Sequence, residues 1–312
     1  WRATQDHAAS TAKRIKSQME RHVYPALGDY PLAKITEQQL QAWILGLPLE
    51  NSSKDIILRD VKAMFRRAIK EKVLGVDPTT EVRVSSKTHV GDMWIPTRGQ
   101  VQAIEAEVPE WVKAVVHLAV GSGMRQGELL GLEAEDLDFT TGTITVRRQR
   151  AEIPGPAHVG HTKTTTSRRT IPLAPTTLDI VEKHIEAHGR WCTVIDRTNP
   201  KVERGVSDDE LRRPAHLVFP FHTGRLWYRT DWQRVWKPAA ATAGWPDRRA
   251  GIHSLRHYYA SALIAAGVDV VTVSKRLGHG TVQTTFDAYA HLWPNNEERT
   301  RSAAQRFYDD AS

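Results

Sequence analysis

Cysteine is nearly absent from this chain: among its 312 residues only Cys192 carries a thiol. A disulfide framework is therefore excluded, and a reducing cytoplasm fits. No apolar run is long enough to cross a bilayer and no secretory signal is present, so the sequence offers no membrane-spanning helix. Internal repeats and low-complexity tracts are missing as well. Acidic residues are the minority charge, 36 against 43 Lys and Arg, and the formal net charge of +7 favours association with polyanions through counterion release. Length and apolar content suit two domains, each with its own core. The chain opens on Trp1 rather than on methionine, and further residues are expected ahead of it.

What the chain does have is a dense stretch from His253 to His291 that gathers phosphate-binding groups and one well-placed tyrosine. A phosphodiester attacked by a hydroxyl passes through a five-coordinate state with added negative charge on its non-bridging oxygens, which fixed donors must meet. Arginine suits this, because its planar fork gives a phosphate two parallel hydrogen bonds and stays charged. Arg256 is such a donor, with His253 three residues earlier at the start of a predicted helix, so both project from one face. The turn Gly278-His279-Gly280 offers His279 between an apolar helix ending near Leu277 and a polar one starting near Thr281. Ten residues after that histidine stands Tyr289. Its phenol has an ordinary pKa of about 10 and needs cationic neighbours and a proton acceptor to act as a nucleophile. The same chemistry asks for a second arginine and for a general acid at the leaving 5′ oxygen. Arg125, in VGSGMRQGELLGL, has Glu128 one turn on to orient it. Lys163, in HTKTTTSRRTIPL, lies at the tip of a predicted β-hairpin from which it can swing in with a proton.

In these motifs the chain resembles the tyrosine recombinases of the phage-integrase family, over nearly its whole length. Gly123, Arg125 and Glu128 match the family's Gly-x-Arg-x-x-Glu, and Lys163 in Thr-Lys-Thr matches its hairpin lysine. His253, Leu255, Arg256 and His257 match its His-x-Leu-Arg-His box, Leu277, Gly278 and His279 its Leu-Gly-His box, and Tyr289 with His291 the nucleophile and its trailing histidine. Several boxes in the family's order are far more specific than any one alone. The resemblance implies that Tyr289 attacks DNA to leave a 3′-phosphotyrosyl link and a free 5′ hydroxyl. That hydroxyl then attacks the phosphotyrosine of a partner strand, by way of a Holliday junction. Arg125, Arg256 and His279 would meet the transition-state phosphate, Lys163 would be the general acid, His253 would serve in acid–base transfer, and Glu128, His257 and His291 would support them. The bond energy is stored in the phosphotyrosine, so the resemblance implies no metal and no other cofactor. The partners it implies are double-stranded DNA attachment sites, further copies of the chain in a homo-tetramer on DNA, and accessory proteins that set direction or bend DNA. The setting is the bacterial cytoplasm, at the host nucleoid. The family's integrases often carry a small arm-site DNA-binding domain at the N-terminus, which this chain is expected to lack.

The expected fold is mainly α with a small antiparallel β-sheet. A helical core-type DNA-binding domain spans 1–84, a linker 85–96, an α+β catalytic domain 97–292, and a tail 293–312 that docks on a neighbouring protomer. Helices are predicted near 8–23, 36–46 and 53–72. On the third, Ile57, Val61, Met64, Phe65 and Ala68 fill one side while Arg59, Lys62, Arg66 and Lys70 fall opposite. Acidic residues are absent from that stripe, where a solvated face would mix signs, so it reads as a phosphate-contacting surface joined by Lys13, Arg14 and Lys16 of the first helix. In the second domain, helices near 97–107, 109–120 and 126–133 lead to the sheet at 138–173, in which 143–149 is expected to run towards 169–173. Helices follow near 175–188 and 229–243. The charge-mixed stretch 190–216 reads as a loop insertion with little core content.

Plainer readings stand beside this one. His253 and His257 have the i, i+4 spacing of a metal pair, but the glutamate of a zinc-protease HExxH is missing and no third ligand cluster is evident. Tyr258 and Tyr259 fall in an apolar helix and pack; Tyr308, in the charged tail, is the one serious alternative nucleophile. Arg168 and Arg169 share the hairpin loop with Lys163. Two other functions draw on the same residues: a type IB topoisomerase, which rejoins the strand it cut, and a non-catalytic DNA-binding protein on a recombinase scaffold.

Overall fold

The computed structural model describes residues 9–84, 93–152, 155–162, 165–198, 206–246, 251–293 and 297–309. They fall into two compact units, divided between residues 89 and 90.

The first unit is helical. α1 (Ala9–Gln18) runs through a π-helical turn, Met19–Val23, into α2 (Tyr24–Leu27), and α3 (Glu37–Gly46) and α4 (Asn51–Lys70) complete it. α3 starts at a capping box, in which Thr36 and Gln39 satisfy each other's amides. Ile57, Val61 and Phe65 of α4 are buried against Ile15, Met19, Leu40 and Ile44, with Met64 partly buried beside them and Ala68 buried one turn on. The basic stripe does not stay free of acid, contrary to expectation. At 3.6 residues per turn Asp55 falls about 40° from Arg59, and the two pair at 2.7 Å. Arg14 is held by Asp60 at 2.6 Å, and Lys16 faces Glu20 at 3.7 Å. Arg66 and Lys70 remain exposed, and Lys62 partly so.

The second unit opens with α5 (Arg98–Glu107), α6 (Glu110–Ser122) and α7 (Gln126–Leu130). Strands β1 (Leu137–Asp138), β2 (Thr143–Val146), β3 (Arg148–Ala151), β4 (His158–His161) and β5 (Arg169–Pro172) follow, then α8 (Pro175–His188), β6 (Arg190–Arg197) and β7 (Arg212–Leu217). Helices α9 (Arg229–Thr242), α10 (His253–Ala265), α11 (Val270–Leu277), α12 (Val282–Tyr289) and α13 (Glu297–Asp309) end the chain. Met93 and Trp94, placed in the linker by sequence, pack into this unit, with Trp94 edge-on to Trp245 at 5.0 Å.

Among the described residues two sheets stand where one was expected. β1-β2-β5 is antiparallel, with Val146 opposite Arg169 and Ile144 opposite Ile171. The run beyond Val146 leaves it: β3 pairs with β4 in a second, mixed sheet of order β3-β4-β6-β7, whose β4–β6 contact is parallel. The stretch 190–216, read as a loop, supplies β6 and β7 of that sheet. Cys192, Val194, Ala215 and Leu217 are buried on one face with Val159 and Leu226, while Arg190, Thr193, Arg212 and Pro214 are exposed. The period-2 alternation was present over 191–194 and 214–217, but the charged residues at the strand ends, Arg190, Asp196, Arg197, Arg212 and Arg213, masked it. α7 is also shorter than expected. It ends at Gly131, which lies so close to β3 that a Cβ there would sit 2.5 Å from the Arg150 amide nitrogen, so only glycine fits at this cap.

Among the described residues, no helix is long and apolar enough to cross a membrane. Where the side chains of α13 are described, they are exposed. The part of the second unit that positions the site is the corner of α10, α11 and α12, packed through Tyr259, Ala260, Ile264, Val273, Leu277 and Tyr289. Two left-handed glycines shape its edges. Gly123 ends α6 at φ 61°, where a Cβ would lie 2.3 Å from Cδ1 of Tyr259, and Gly278 ends α11 at φ 63°. Glycine adopts that conformation without the Cβ clash of other residues.

Candidate active site

Five segments far apart in sequence end at one place. The turn after α6 delivers Arg125 to the cap of α7, and β5 begins with Arg169. α10 carries His253, Arg256 and His257 on its first turns, α11 leads into Gly278 and His279, and α12 ends on Tyr289. The i, i+3, i+4 spacing on α10 sets its three side chains on one face.

Main-chain carbonyls hold the arginines. A helix leaves its last carbonyls without intrahelical partners and gathers partial negative charge there, which guanidiniums satisfy. The Arg276 carbonyl accepts from Nε of Arg169 at 2.7 Å, the Leu277 carbonyl from Nη2 of Arg256 at 2.6 Å, and the Gly278 carbonyl from Nη2 of Arg125 at 3.0 Å. Nη1 of Arg256 also donates to the Gly123 carbonyl at 2.7 Å, which ties the end of α6 to the end of α11. These bonds use only part of each five-donor fork. The Arg125 side chain stays 27% exposed, whereas Arg256 is 2% exposed. Burial, and then the charges of Arg125 and Arg169, lower Arg256 to about 9, still charged at neutral pH.

Glu128 is buried between two of these cations. It accepts from Nη1 of Arg125 at 2.9 Å and from Nη2 and Nη1 of Arg169 at 2.9 and 3.2 Å. It also caps the Arg125 amide at 2.9 Å. Burial alone would raise its carboxyl pKa, but Arg169 and then Arg125 outweigh that and hold it below the usual value.

The Tyr289 side chain is 1% exposed, and its hydroxyl lies 2.7 Å from Nδ1 of His257. Burial pushes the phenol up to about 12, with Arg256 pulling slightly the other way. His257 is lowered to about 4 by burial and then by His253 and Arg256. His279 is also lowered to about 4, by burial and then by Arg256 and Arg125, and its Nδ1 meets Oγ1 of buried Thr285 at 2.7 Å. The His253 ring stands 4.9 Å from that of His257. His253 is lowered too, by burial and then by Arg256 and Arg125, although its outer face is exposed and water tempers the effect there. Neutral imidazoles can accept a proton, and the arginine forks can grip phosphate oxygens around a stored phenol.

The structure thus brings together Arg125, Glu128, His253, Arg256, His257, His279 and Tyr289. His291 lies exposed in the turn after Tyr289 and makes no hydrogen bond to the others. Lys163 lies outside the described residues. Tyr259 is buried against Gly123, and Tyr258 packs partly buried on the main core. Among the described residues, no group of three His, Cys, Asp or Glu could hold a metal ion. Sequence reasoning missed Arg169, with a side chain 6% exposed and a bidentate grip on Glu128, and Thr285. Signals for both existed. Arg169 is two residues from inward-facing Ile171 on one strand, and Thr285 is one helical turn before Tyr289.

The buried histidines set a stability profile. Folded His257, His279 and also His184 titrate near 4, against 6.5 for a free imidazole. Between these values the unfolded chain binds protons that the folded chain refuses, so stability falls as pH drops. A melting curve series is expected to show a level melting temperature just above pH about 6.5 and a steady fall from there towards pH about 4. A level value down to the lower limit would contradict the buried neutral rings.

The profile of the Phage integrase family matches residues 97–296, and that of the phage integrase N-terminal SAM-like domain matches residues 3–47. The chain belongs to the phage integrase family, and with it to the tyrosine recombinases. Among its relatives, the integrase of Mycobacterium phage D29 is 26% identical over 309 residues, which cover 98% of this chain and 76% of that protein. A tyrosine recombinase XerC-like protein of Caldanaerobacter subterraneus is 29% identical over 198 residues, 60% of this chain and 47% of that one. In fold, the chain is similar to the Tn1549 transposon integrase solved in complex with transposon right end DNA, at a TM-score of 0.78 and 18% identity, covering 98% of this chain and 96% of that one.

Proposed function

We propose that the chain is a site-specific DNA recombinase that cuts and rejoins DNA through a 3′-phosphotyrosyl link on Tyr289 and exchanges strands through a Holliday junction. The observation that carries this reading is the Tyr289 hydroxyl, 2.7 Å from Nδ1 of a neutral His257 and within the field of Arg256, itself fixed on two main-chain carbonyls. The phenol oxygen attacks phosphorus, and its proton passes to His257 or His253. The bond from phosphorus to the 5′ oxygen breaks, and Lys163 supplies that oxygen with a proton. Arg125, Arg256 and His279 meet the charge that gathers on the non-bridging oxygens. In the second step a 5′ hydroxyl of a partner strand attacks the phosphotyrosine and regenerates the phenol. Glu128 keeps Arg125 aimed, and His291 borders the nucleophile.

Arg59, Lys62, Arg66 and Lys70 on α4, with Lys13 and Lys16 on α1, supply phosphate contacts from the first unit. Arg14, held by the largely buried carboxylate of Asp60, is left out of that face, whereas the exposed pairs of Arg59 with Asp55 and Lys16 with Glu20 are weak enough to be exchanged for phosphate. Two duplexes with two cleavage sites each need four sites used in pairs, which calls for a homo-tetramer on double-stranded attachment DNA. α13, exposed where described, is the element for docking on a neighbouring protomer. Deleting the residues after Leu292 is then expected to lower recombination more than DNA binding in paired assays, and an equal yield of recombinants from the truncated chain would count against the docking role.

The experiment that tests the whole reading is incubation with a nicked duplex of the attachment site, from which the cleaved end diffuses away. A covalent adduct on Tyr289, together with recombination between two such sites, is the expected result. An adduct without recombination would point to a topoisomerase, and no adduct at all to a non-catalytic DNA-binding protein.

A further inference from the structure

Beside the cluster lies a cavity of about 440 Å³, between the turn that precedes β5 and the facing ends of α11 and α12. Arg168, Arg169, Lys275 and Arg276 line it, and no aspartate or glutamate does. Two of these charges are already committed. Arg169 grips Glu128, and Nη1 of Arg276 donates to the Thr170 carbonyl at 2.8 Å. Arg168 and Lys275 are exposed, and among the described residues neither meets a carboxylate. A surface kept for solubility mixes its signs; a concave opening lined by one sign concentrates counter-ions of the other. α12 begins at the same opening, with Thr281 and Val282 in its wall and its partial positive end nearby. Gly278 and His279 belong both to this wall and to the catalytic cluster.

We propose that this cavity holds a second backbone phosphate of the bound DNA strand, a neighbour of the one that is cut, with Arg168 and Lys275 as its ligands. The proposal rests on the recombinase reading of the adjoining cluster. A phosphate contact of this kind reads no sequence; it fixes the register of the strand on the protein. With the flanking phosphate seated here, the next one along the backbone is presented to Arg125, Arg256 and Tyr289. Removal of the two ligands should therefore act on the binding of duplex and not on its base preference.

The test is a salt titration of binding to a short duplex of arbitrary sequence, with wild type and the double variant Arg168→Gln, Lys275→Gln. Each phosphate contact contributes about 0.9 to the slope of log affinity against log salt, so the double variant is expected to have a slope smaller by about 2. Its melting temperature should match wild type. Lys113→Gln with Lys183→Gln, which removes the same charge from the cleft between α6 and α8, should leave the slope unchanged. An unchanged slope in the first double variant, or an equal fall in the control, overturns the proposal. It is also overturned if inorganic phosphate protects wild type but not the double variant from heat while their duplex slopes agree, since that assigns the cavity to a free anion. Covalent trapping by wild type separates the two readings. Trapping with an unchanged slope in the double variant sinks only the second phosphate site; no trapping with a reduced slope sinks the cleavage chemistry and supports the phosphate site.

Discussion

Tyr289→Phe is expected to form no covalent adduct with a nicked attachment-site duplex, a loss of more than roughly a thousandfold, while it still binds that duplex. The substitution keeps the ring that fills the corner of α10, α11 and α12, so packing is preserved. It removes the one hydroxyl that can attack phosphorus and leaves Nδ1 of His257 without its 2.7 Å partner. An unsatisfied buried nitrogen costs about 1–3 kcal/mol, so the variant should melt a few degrees lower but fold. Gel retardation and a denaturing gel on the same samples separate binding from bond formation. An adduct in the phenylalanine variant, or one that maps by peptide mass to Tyr308, would show that the wrong tyrosine has been assigned.

Arg125→Ala and Arg256→Ala are each expected to slow adduct formation by about a hundredfold or more, the usual loss when one donor to a transition-state oxyanion is removed. Their effects on folding should differ. Arg125 is partly exposed and shares Glu128 with Arg169, so the alanine variant leaves that carboxylate still paired. Arg256 is 2% exposed and satisfies the carbonyls of Gly123 and Leu277. Its loss strands two buried acceptors and opens a cavity, which should cost several kcal/mol, about 1–3 for each acceptor. Arg125→Ala is therefore a cleaner test of catalysis, and Arg256→Lys, which restores charge without the fork, a necessary companion to Arg256→Ala. Cleavage near the wild-type rate in either alanine variant would remove that arginine from the site.

Most of the cluster was legible because its chemistry dictates residue types at short spacing. His253, Arg256 and His257 share a helical face, Gly278 and His279 share a turn, and Tyr289 closes the next helix; local geometry suffices for each. What sequence could not supply were the pairings across the chain. That His257 rather than His253 meets the phenol depends on how α10 and α12 cross. Arg169 looked like one more loop cation near Lys163, and its ion pair with Glu128 spans 41 residues. The second sheet was missed for a different reason. Arg197, Arg212 and Arg213 in β6 and β7 made a paired segment look like a solvated loop, although Asp208, the nearby Asp209, and Asp196 with Glu133 across the sheet pair with them in turn. The α4 stripe was misjudged in its charge alone: on the helical wheel Asp55 falls between Lys62 and Arg66, inside the basic sector, and pairs with Arg59.

Because Arg276, Leu277 and Gly278 offer successive carbonyls to Arg169, Arg256 and Arg125, three guanidiniums take their positions from one short length of main chain. A displacement of α11 would disturb all three at once, against the separate holds of Gly123 on Arg256 and of Glu128 on Arg125 and Arg169. On the function proposed above, a protomer whose α11 is displaced would hold DNA with its arginines misplaced for cleavage, and that dependence would reside in the backbone itself.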